Sequence, residues 1–277
     1  MRKNLSRRRL GRAAVALALC AYLVVTLFPF YWTVQVALKT TVDAFKVPTD
    51  WIFVPTLGNF AELPGSTNFM RFFANSLVVS VITVAVSLLL AVPAAYGFSR
   101  GSFARKEAFF NVVLITRMMP GMAFIIPFFL PYRQIGLMDS ILGLVVIYMT
   151  MNLSLVLWSM RNFFDAVPRE LEEAAFIDGA SVLQAFRQVV LPVSAPGLAA
   201  TAVLCFIMSW NEFFFALILT RREAVTAPVG IMSFMRYEAT DFGLIATTAI
   251  IIALPVVLFS YVVRRYLVAG IMTGAVK

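Results

Sequence analysis

The 277-residue sequence predicts an all-α membrane protein with six transmembrane spans. Hydrophobic residues make up 61% of the chain and charged residues only 13%, and the mean hydropathy is +0.88. Soluble domains are nearer half apolar and a quarter charged. The apolar residues also form stretches of about 20 residues, which is long enough to cross a bilayer as a helix. Because these stretches are evenly spread, we expect one membrane domain over residues 1–277.

The six apolar stretches give approximate span boundaries. We predict spans at residues 13–38, 72–99, 108–131, 140–160, 193–220 and 242–263. The first follows a basic segment, as a signal peptide would, but its apolar run is too long and no small-residue cleavage site follows it. It is therefore predicted to be an uncleaved helix. The third span contains Arg117 and Pro120, and the fifth is interrupted by Asn211 and Glu212.

The distribution of basic residues predicts the orientation of the chain. Fifteen of the 23 Lys and Arg residues lie in the N-terminal segment, in the gaps after the second and fourth spans, and in the C-terminal tail; seven lie in the other gaps. Because cytoplasmic loops carry an excess of Lys and Arg, both termini and the polar segment 161–192 are predicted to be cytoplasmic. The basic residues form no patch interleaved with aromatic residues, so nucleic-acid binding is not expected.

Several classes of enzyme are excluded by the residues that the sequence lacks. It contains no histidine, which excludes Ser-His-Asp and Cys-His catalysis. Cys20 and Cys205 lie far apart in apolar runs, so no zinc or haem site can be proposed. The phosphate-binding pattern G-x-x-x-x-G-K-[ST] is also absent. We therefore expect no enzymatic activity, metal or cofactor on this chain.

The polar segment 161–192 has the pattern of two short helices joined by a sharp turn. Pro168 suits a first helical position, Gly179 a left-handed helix end, and Ser181 the cap of a second helix that ends before Pro192. Glutamates at 170, 172 and 173 complement the dipole of the first helix. Small alanines allow another backbone to approach closely. The segment could fit a pocket on a cytoplasmic partner, or it could be a solvated loop lying on the bilayer.

A composite motif in this segment resembles a known family. Glu173-Ala174-Ala175, followed at fixed spacing by Gly179, Val189 and Leu191-Pro192, resembles the EAA motif of ABC importer permeases, with valine where isoleucine is usual. The wider string 167–181, the tracts 94–100 and 210–213, and the tail 270–277 are similar to carbohydrate-uptake permeases. The resemblance is to the smaller six-span permease subunit of maltose-type systems.

This resemblance implies a permease domain with a cytoplasmic coupling helix, in a bacterial cell membrane. The coupling helix would dock on an ABC ATPase dimer that binds ATP and Mg²⁺ and drives alternating access. A second permease chain, distinct from this one, and an extracytoplasmic solute-binding protein would complete an importer for a mono- or oligosaccharide. The residues that match the family's ATPase-coupling motif are Glu173, Ala174, Ala175, Asp178, Gly179, Leu191 and Pro192.

Four residues within the spans are candidates for the solute path. Trp210 offers a flat apolar ring for a sugar, and Asn211 and Glu212 offer polar groups for hydroxyls. These three could equally pack between helices or contact the second permease subunit. Arg117 could line the path or pair with Glu212, because a charge within a span should face protein or water. The simpler interpretation is that Arg117 lies near a membrane boundary and extends towards the headgroups.

Two alternative functions remain open from the sequence. The coupling motif does not specify the solute, which could instead be a polyamine or a phosphate ester. An ion- or proton-coupled carrier would work without ATP but would need intramembrane carboxylates, and Glu212 is nearly the only candidate. A carrier would also leave the polar segment 161–192 without a role.

Overall fold

The computed structural model describes residues 2–66, 68–118, 121–235 and 240–274, and all regular elements in these ranges are helices. Side chains are described for residues 11–65, 68–118, 121, 125–235 and 240–261. The prediction of an all-α fold is confirmed. The chain divides into two compact units, one formed by Met1–Thr67 and Ile231–Ala253 and the other by Asn68–Gly230 and Leu254–Lys277.

The first unit is built around the end of a long N-terminal helix. Its helices are α1 (Arg2–Ala37), α2 (Thr41–Ala44), α3 (Gly58–Ser66), a 3-10 turn at Ile231–Phe234 and the first part of the last long helix, Phe242–Gly274. The side chain of Asn59 donates to the carbonyls of Ala37 (2.8 Å) and Lys39 (2.9 Å), which the helix end leaves unpaired. Lys39 is 1% exposed and donates to the carbonyl of Asp50 at 2.8 Å.

The second unit contains most of the helices. They are α4 (Phe69–Arg100), α5 (Lys106–Met118), α6 (Gly121–Gln134), α7 (Ile141–Asp165), α8 (Glu170–Ile177), α9 (Val182–Ala185), α10 (Leu191–Val193), α11 (Ala195–Trp210), α12 (Phe214–Leu219) and α13 (Ala227–Gly230). A π-helical turn, Phe186–Val190, joins α9 to α10. The helix Phe242–Gly274 is α14, and its residues from Leu254 onwards belong to this unit.

The core of the second unit lies between α4 and α7. Near their N-termini, Val79 shares a buried cluster with Leu144 and Val145; near their C-termini, Ala95 shares another with Met160. The two helices therefore run in the same direction. Helix α11 packs against both, and it comes so close to α7 that a side chain at Gly197 would collide with the Phe163 ring.

Four described helices are long and apolar enough to cross a membrane. They are Gly11–Ala37 within α1, Phe69–Arg100, Ile141–Asp165 and Phe242–Tyr261 within α14. These correspond to the predicted first, second, fourth and sixth spans, with α7 extending five residues beyond the predicted end at 160. The chain is thus a multi-pass membrane protein.

The predicted third and fifth spans are not single helices. Residues 108–131 are divided between α5 and α6, and Pro120 lies outside the described residues. Residues 193–220 are divided between α11 and α12, with the interruption at Asn211–Phe213 that the sequence suggested. The segments Val182–Val193 and Ala195–Trp210 meet at 76° and could count together as one broken span. The total of six spans therefore stays a prediction.

Candidate functional site

In the helix-turn-helix at 165–193, the residues of the turn end the first helix and begin the second. Gly179 has a φ of +86°, and its N–H donates to the carbonyl of Phe176 at 3.0 Å. The N–H of Ala180 donates to the carbonyl of Ala175 at 2.9 Å, which completes a Schellman end for α8. Ser181 then forms a capping box with Gln184, so the predicted glycine stop and serine cap are both confirmed.

The sequence suggested that the second short helix ends before Pro192, but the helix continues past this residue. Helix α9 passes into the π-helical turn, in which the N–H of Leu191 donates to the carbonyl of Phe186 five residues earlier. Helix α10 then runs from Leu191 to Val193. Pro192 fits within this first turn because it has no N–H that would need an acceptor. Leu191 is half-buried and Pro192 is exposed.

The residues 173–179 of the coupling motif lie on α8 and its turn, and most of them are exposed. Glu173, Ala174, Asp178 and Gly179 are exposed, and Ala175 is half-buried. Two apolar side chains accompany them, Phe176 at 42% and Ile177 at 87% exposed. This combination of small residues, acids and exposed apolar side chains leaves a surface that another protein could cover. The functional roles of these residues stay predictions.

A different glutamate, Glu172, fixes α8 to the transmembrane helices. Its Oε1 lies 2.5 Å from Nε of Arg100, and its Oε2 accepts a hydrogen bond from the hydroxyl of Tyr96 at 2.7 Å. The side chains of Arg100 and Glu172 are only 13% and 6% exposed. Arg100 also donates to the carbonyl of Val167 at 2.8 Å, just before α8 begins. Together these contacts hold α8 against the C-terminal end of α4.

A second polar cluster joins α4, α5 and α7 at the same end. Arg161 on α7 makes two hydrogen bonds to Glu107 on α5, at 2.9 and 2.5 Å, and its guanidinium lies 4.2 Å from the centre of the Phe110 ring. Ser99 of α4 donates to Asp165 of α7 at 2.5 Å. Two-pronged arginine–carboxylate pairs fix orientation as well as distance. The three helix ends and α8 are therefore linked by side chains.

From the sequence, Glu172 was expected only to complement the helix dipole, and no contact was expected between Glu172 and Arg100. Glu172 and Glu173 are neighbours in sequence, and a helix places successive side chains about 100° apart, so only one of them can face α4. A signal for Arg100 was present, because it ends the tract 94–100 that resembles the permease family. What the sequence does not give is which acidic residue Arg100 meets.

The opposite end of the α4–α7 pair is held by Asp139. This residue has a φ of +51°, and its carboxylate accepts hydrogen bonds from the backbone N–H groups of residues 221–224, at 2.9 to 3.2 Å. Partial burial opposes ionisation of Asp139, but the four N–H groups outweigh it and hold the pKa of the carboxyl below its ordinary value. Asn75 and Ser76 of α4 bind further backbone groups, at residues 223, 225 and 227.

Trp210, Asn211 and Glu212 lie where α11 ends. The Trp210 ring is 1% exposed; it stacks on Phe206, with 5.6 Å between the ring centres, and meets Phe73 edge-on at 5.2 Å. This placement favours the packing alternative for Trp210. Asn211 is exposed. The role of these residues in a solute path stays a prediction.

The carboxylate of Glu212 has a local structural role. Its Oε1 accepts the N–H groups of Phe214 and Phe215, both at 2.9 Å, and its Oε2 accepts that of Ala216 at 3.2 Å. These are the unpaired donors at the start of α12. The suggested ion pair between Glu212 and Arg117 is not among the ion pairs of the described residues.

Arg117 instead lines a cavity of about 380 Å³ between α5, α6, α7 and α11. The walls also include Thr116, Thr150, Phe128 and Phe215. An intramembrane arginine costs at least about 2.5 kcal/mol on insertion scales, so a polar cavity is a place where its charge can be tolerated. The cavity thus combines one cation with hydroxyl groups and aromatic rings.

Comparisons with known proteins agree with this architecture. The trehalose transport system permease protein SugB of Mycobacterium tuberculosis is 36% identical over 258 residues, which cover 91% of this chain and 92% of SugB. The diacetylchitobiose uptake system permease protein DasC of Streptomyces coelicolor is 31% identical, over 90% of this chain and 91% of DasC.

A solved structure supports the same fold. A chain in the crystal structure of a bacterial ABC transporter that imports the acidic polysaccharide alginate matches with a TM-score of 0.79 at 24% identity, over 93% of this chain and 96% of that chain. At this identity the match shows the fold alone. A family model described as the inner membrane component of binding-protein-dependent transport systems matches residues 87–272. This chain is therefore a permease that belongs to the family of inner membrane components of binding-protein-dependent transport systems.

Proposed function

We propose that this permease carries a sugar, a mono- or oligosaccharide, into the cell by alternating access. An ATPase dimer, which binds ATP and Mg²⁺, docks on the exposed surface of α8 and drives the change of conformation. A second permease chain completes the membrane pathway, and an extracytoplasmic binding protein delivers the sugar. No cofactor is bound by this chain itself.

The observation that carries this proposal is the division of α8 into an anchored side and an exposed side. Glu172 is fixed to Arg100 and Tyr96, whereas Glu173, Ala174 and Asp178 are exposed. A partner that pulls on the exposed side would therefore move α4 as well, because the two helices are joined by a buried ion pair. A loop that merely lay on the bilayer would not need such an anchor.

The nature of the solute is supported by two observations. The relatives SugB and DasC are named for trehalose transport and diacetylchitobiose uptake, and both are similar over nine-tenths of their length. The cavity beside Arg117 contains hydroxyl groups and aromatic rings, which suit the polar edges and apolar faces of a sugar. A polyamine is disfavoured because the one charged residue among the described residues of the cavity wall, Arg117, is a cation.

The proposed orientation places α8 in the cytoplasm. Arg100, Lys106, Arg161 and Arg169 lie at the end of the second unit where α8 is held: Arg100 pairs with Glu172, Arg161 with Glu107, and Arg169 precedes α8. Such a concentration of basic residues is typical of the cytoplasmic side. Both termini are therefore proposed to be cytoplasmic, in a bacterial inner or plasma membrane.

Co-purification of an ATPase tests the proposal. We expect an ATP-hydrolysing subunit to purify with the wild type in mild detergent and to be lost, or to hydrolyse ATP without uptake, in Glu173→Lys and Gly179→Asp. Reversing an exposed interface charge should lower uptake about tenfold or more while the membrane level of the protein is unchanged. Glu62→Lys, at an exposed glutamate of α3, makes the same charge change away from α8 and serves as the control.

The opposite result would favour the alternative function, an ion- or proton-coupled carrier that works without ATP. If no ATPase purifies with the intact membrane complex, and uptake in vesicles follows an ion gradient without ATP, the importer proposal is wrong.

A further inference from the structure

We propose that the cavity beside Arg117 binds the carboxylate of an acidic sugar, so that this permease selects monoanionic saccharides such as uronates. The inference rests on the proposed function in one respect, namely that the solute is a saccharide. It goes further by assigning a charge to the solute and a binding group to this chain.

The depth of Arg117 argues against a headgroup contact. Lys106, which begins α5, donates to the backbone carbonyls of Ser99 and Gly101 at the basic end of the second unit. Arg117 comes eleven residues later on the same helix, which places it about 16 Å further along the axis. Half of the hydrocarbon layer is only about 15 Å thick. A span that began at Lys106 and ran along the membrane normal would therefore carry Arg117 close to the middle of the bilayer, where its side chain would not reach either surface.

The guanidinium of Arg117 has no acidic partner in the described part of the chain. No carboxylate lies within ion-pair distance of it. Both oxygens of Glu212, the acid that was suggested as a partner, accept backbone N–H groups of α12 instead. An arginine without an acidic partner favours a ligand that supplies the missing negative charge, and the guanidinium fork matches a carboxylate with two parallel hydrogen bonds.

The other walls of the cavity suit the rest of a sugar. The hydroxyls of Thr116 and Thr150 donate to the carbonyls of Val113 (2.7 Å) and Ile147 (2.6 Å) in their own helices. Their oxygen lone pairs are then available as acceptors for the hydroxyl groups of a sugar. The half-buried ring of Phe128 and the buried ring of Phe215 make other parts of the wall apolar.

The charge of the site favours a carboxylate over a phosphate ester. Among the described residues that line the cavity, Arg117 is the only charged one. One cation balances a carboxylate, whereas a phosphate ester approaches a charge of about −2 at neutral pH and would leave excess negative charge in the membrane. The volume of about 380 Å³ falls within the range of about 300–1,000 Å³ that is usual for small-molecule sites.

A matched pair of probes tests the inference directly. D-glucuronate and D-glucose differ only at C6, which is the carbon of a carboxylate in glucuronate and of a hydroxymethyl group in glucose. Ligand-observed NMR titrations of the purified complex would measure the dissociation constant of each. The wild type is expected to bind glucuronate about tenfold to a hundredfold more tightly than glucose, because hydrogen bonds to charged groups contribute that range.

Variants at two arginines complete the experiment. Arg117→Gln should remove the preference for glucuronate, and Arg117→Lys should retain part of it because the charge remains. Arg133→Gln is the matched control, since Arg133 is an exposed arginine at the far end of α6 and is not among the cavity residues. It should behave like the wild type.

Several outcomes would overturn the inference. These are equal binding of the two sugars by the wild type, a preference that survives in Arg117→Gln, or binding of neither sugar. Loss of the second permease chain from the Arg117→Gln complex would show that Arg117 pairs with that subunit instead. The same preparations show whether an ATPase co-purifies. The proposed function therefore stands if an ATPase co-purifies but the sugar preference is absent, and it fails if no ATPase co-purifies, whatever the sugar preference.

Discussion

The two ends of the α4–α7 pair are held by different kinds of contact. At the Arg100 end, the main contacts join side chains to other side chains: Arg100 binds Glu172, and Arg161 binds Glu107. At the Asp139 end, the main contacts join side chains to backbone, since the carboxylate of Asp139 accepts the N–H groups of residues 221–224, although an ion pair between Arg71 and Glu223 adds to them. The first arrangement depends mainly on the identity of both partners, whereas the second depends mainly on the path of the segment that is held.

This difference agrees with the proposal that an ATPase docks at the Arg100 end. Backbone groups cannot rotate away independently of the chain, so the Asp139 contacts fix residues 221–224 in one conformation. Side-chain pairs can separate and form again while the helices that carry them stay intact. The end that is proposed to receive an ATPase is therefore the end at which the contacts can be rearranged.

Removal of the buried anchor should have the largest effect. Glu172→Ala leaves Arg100 largely buried without its acid, and breaking one partner of a buried ion pair costs about 3–5 kcal/mol. We expect a clear fall in the melting temperature of the detergent-purified protein and loss of uptake. Glu173→Ala is the matched control on the same helix and should change stability by about 0.5 kcal/mol or less, because Glu173 is exposed.

A double variant sharpens this result. Arg100→Ala combined with Glu172→Ala should be less unstable than the sum of the two single variants, because neither residue is then left buried alone. Equal stability of Glu172→Ala and Glu173→Ala would contradict the assignment of Glu172 as the anchor.

The Asp139 end should be sensitive to acid. The pKa of Asp139 is lower in the folded than in the unfolded chain, so its contribution is fully present above the unfolded value of about 4 and is lost as the pH falls through the lowered folded value. Asp139→Asn should lower stability at neutral pH by about 2 kcal/mol, because hydrogen bonds to a charged acceptor become bonds to a neutral one.

Melting temperatures measured from pH 7 to below pH 4 check this prediction. The gap between the wild type and Asp139→Asn should narrow in acid, when the wild-type carboxyl is protonated. A gap that stays constant across this range would show that the charge of Asp139 does not contribute.

The smallest effect is expected at the cap of α12. Glu212→Gln keeps an oxygen acceptor for the N–H groups of Phe214–Ala216 but loses its charge, so the cost should be about 1 kcal/mol or less. Uptake should be unchanged in an ATP-driven importer. Uptake assays therefore discriminate between the two mechanisms, because a proton-coupled carrier that relied on this carboxylate would lose gradient-driven transport.

Local chemistry explains which features could be predicted from the sequence. The glycine stop at Gly179 and the cap at Ser181 follow from residues a few positions apart, and the long apolar spans follow from composition. The choice between Glu172 and Glu173 as the anchor depends on the rotation of α8 relative to α4, which is a tertiary property.

The suggested Arg117–Glu212 pair is not among the ion pairs of the described residues, for a related reason. Sequence reasoning matched two opposite charges within spans, but Glu212 meets backbone N–H groups two to four residues away, and a local partner is reached before a distant one. The continuation of the second short helix through Pro192 was also missed, because the pattern of residues 186–190 does not distinguish a π-helical turn from an α-helical one.

The π-helical turn Phe186–Val190 connects the short helices α8 and α9 to the membrane helix α11. A π-helical turn accommodates one more residue than an α-helical turn, and one residue corresponds to about 100° of rotation in an α-helix. The turn therefore determines how α8 is rotated relative to α11. We expect a deletion of one residue here to leave both flanking structures intact and yet turn the exposed surface of α8 away from its present direction.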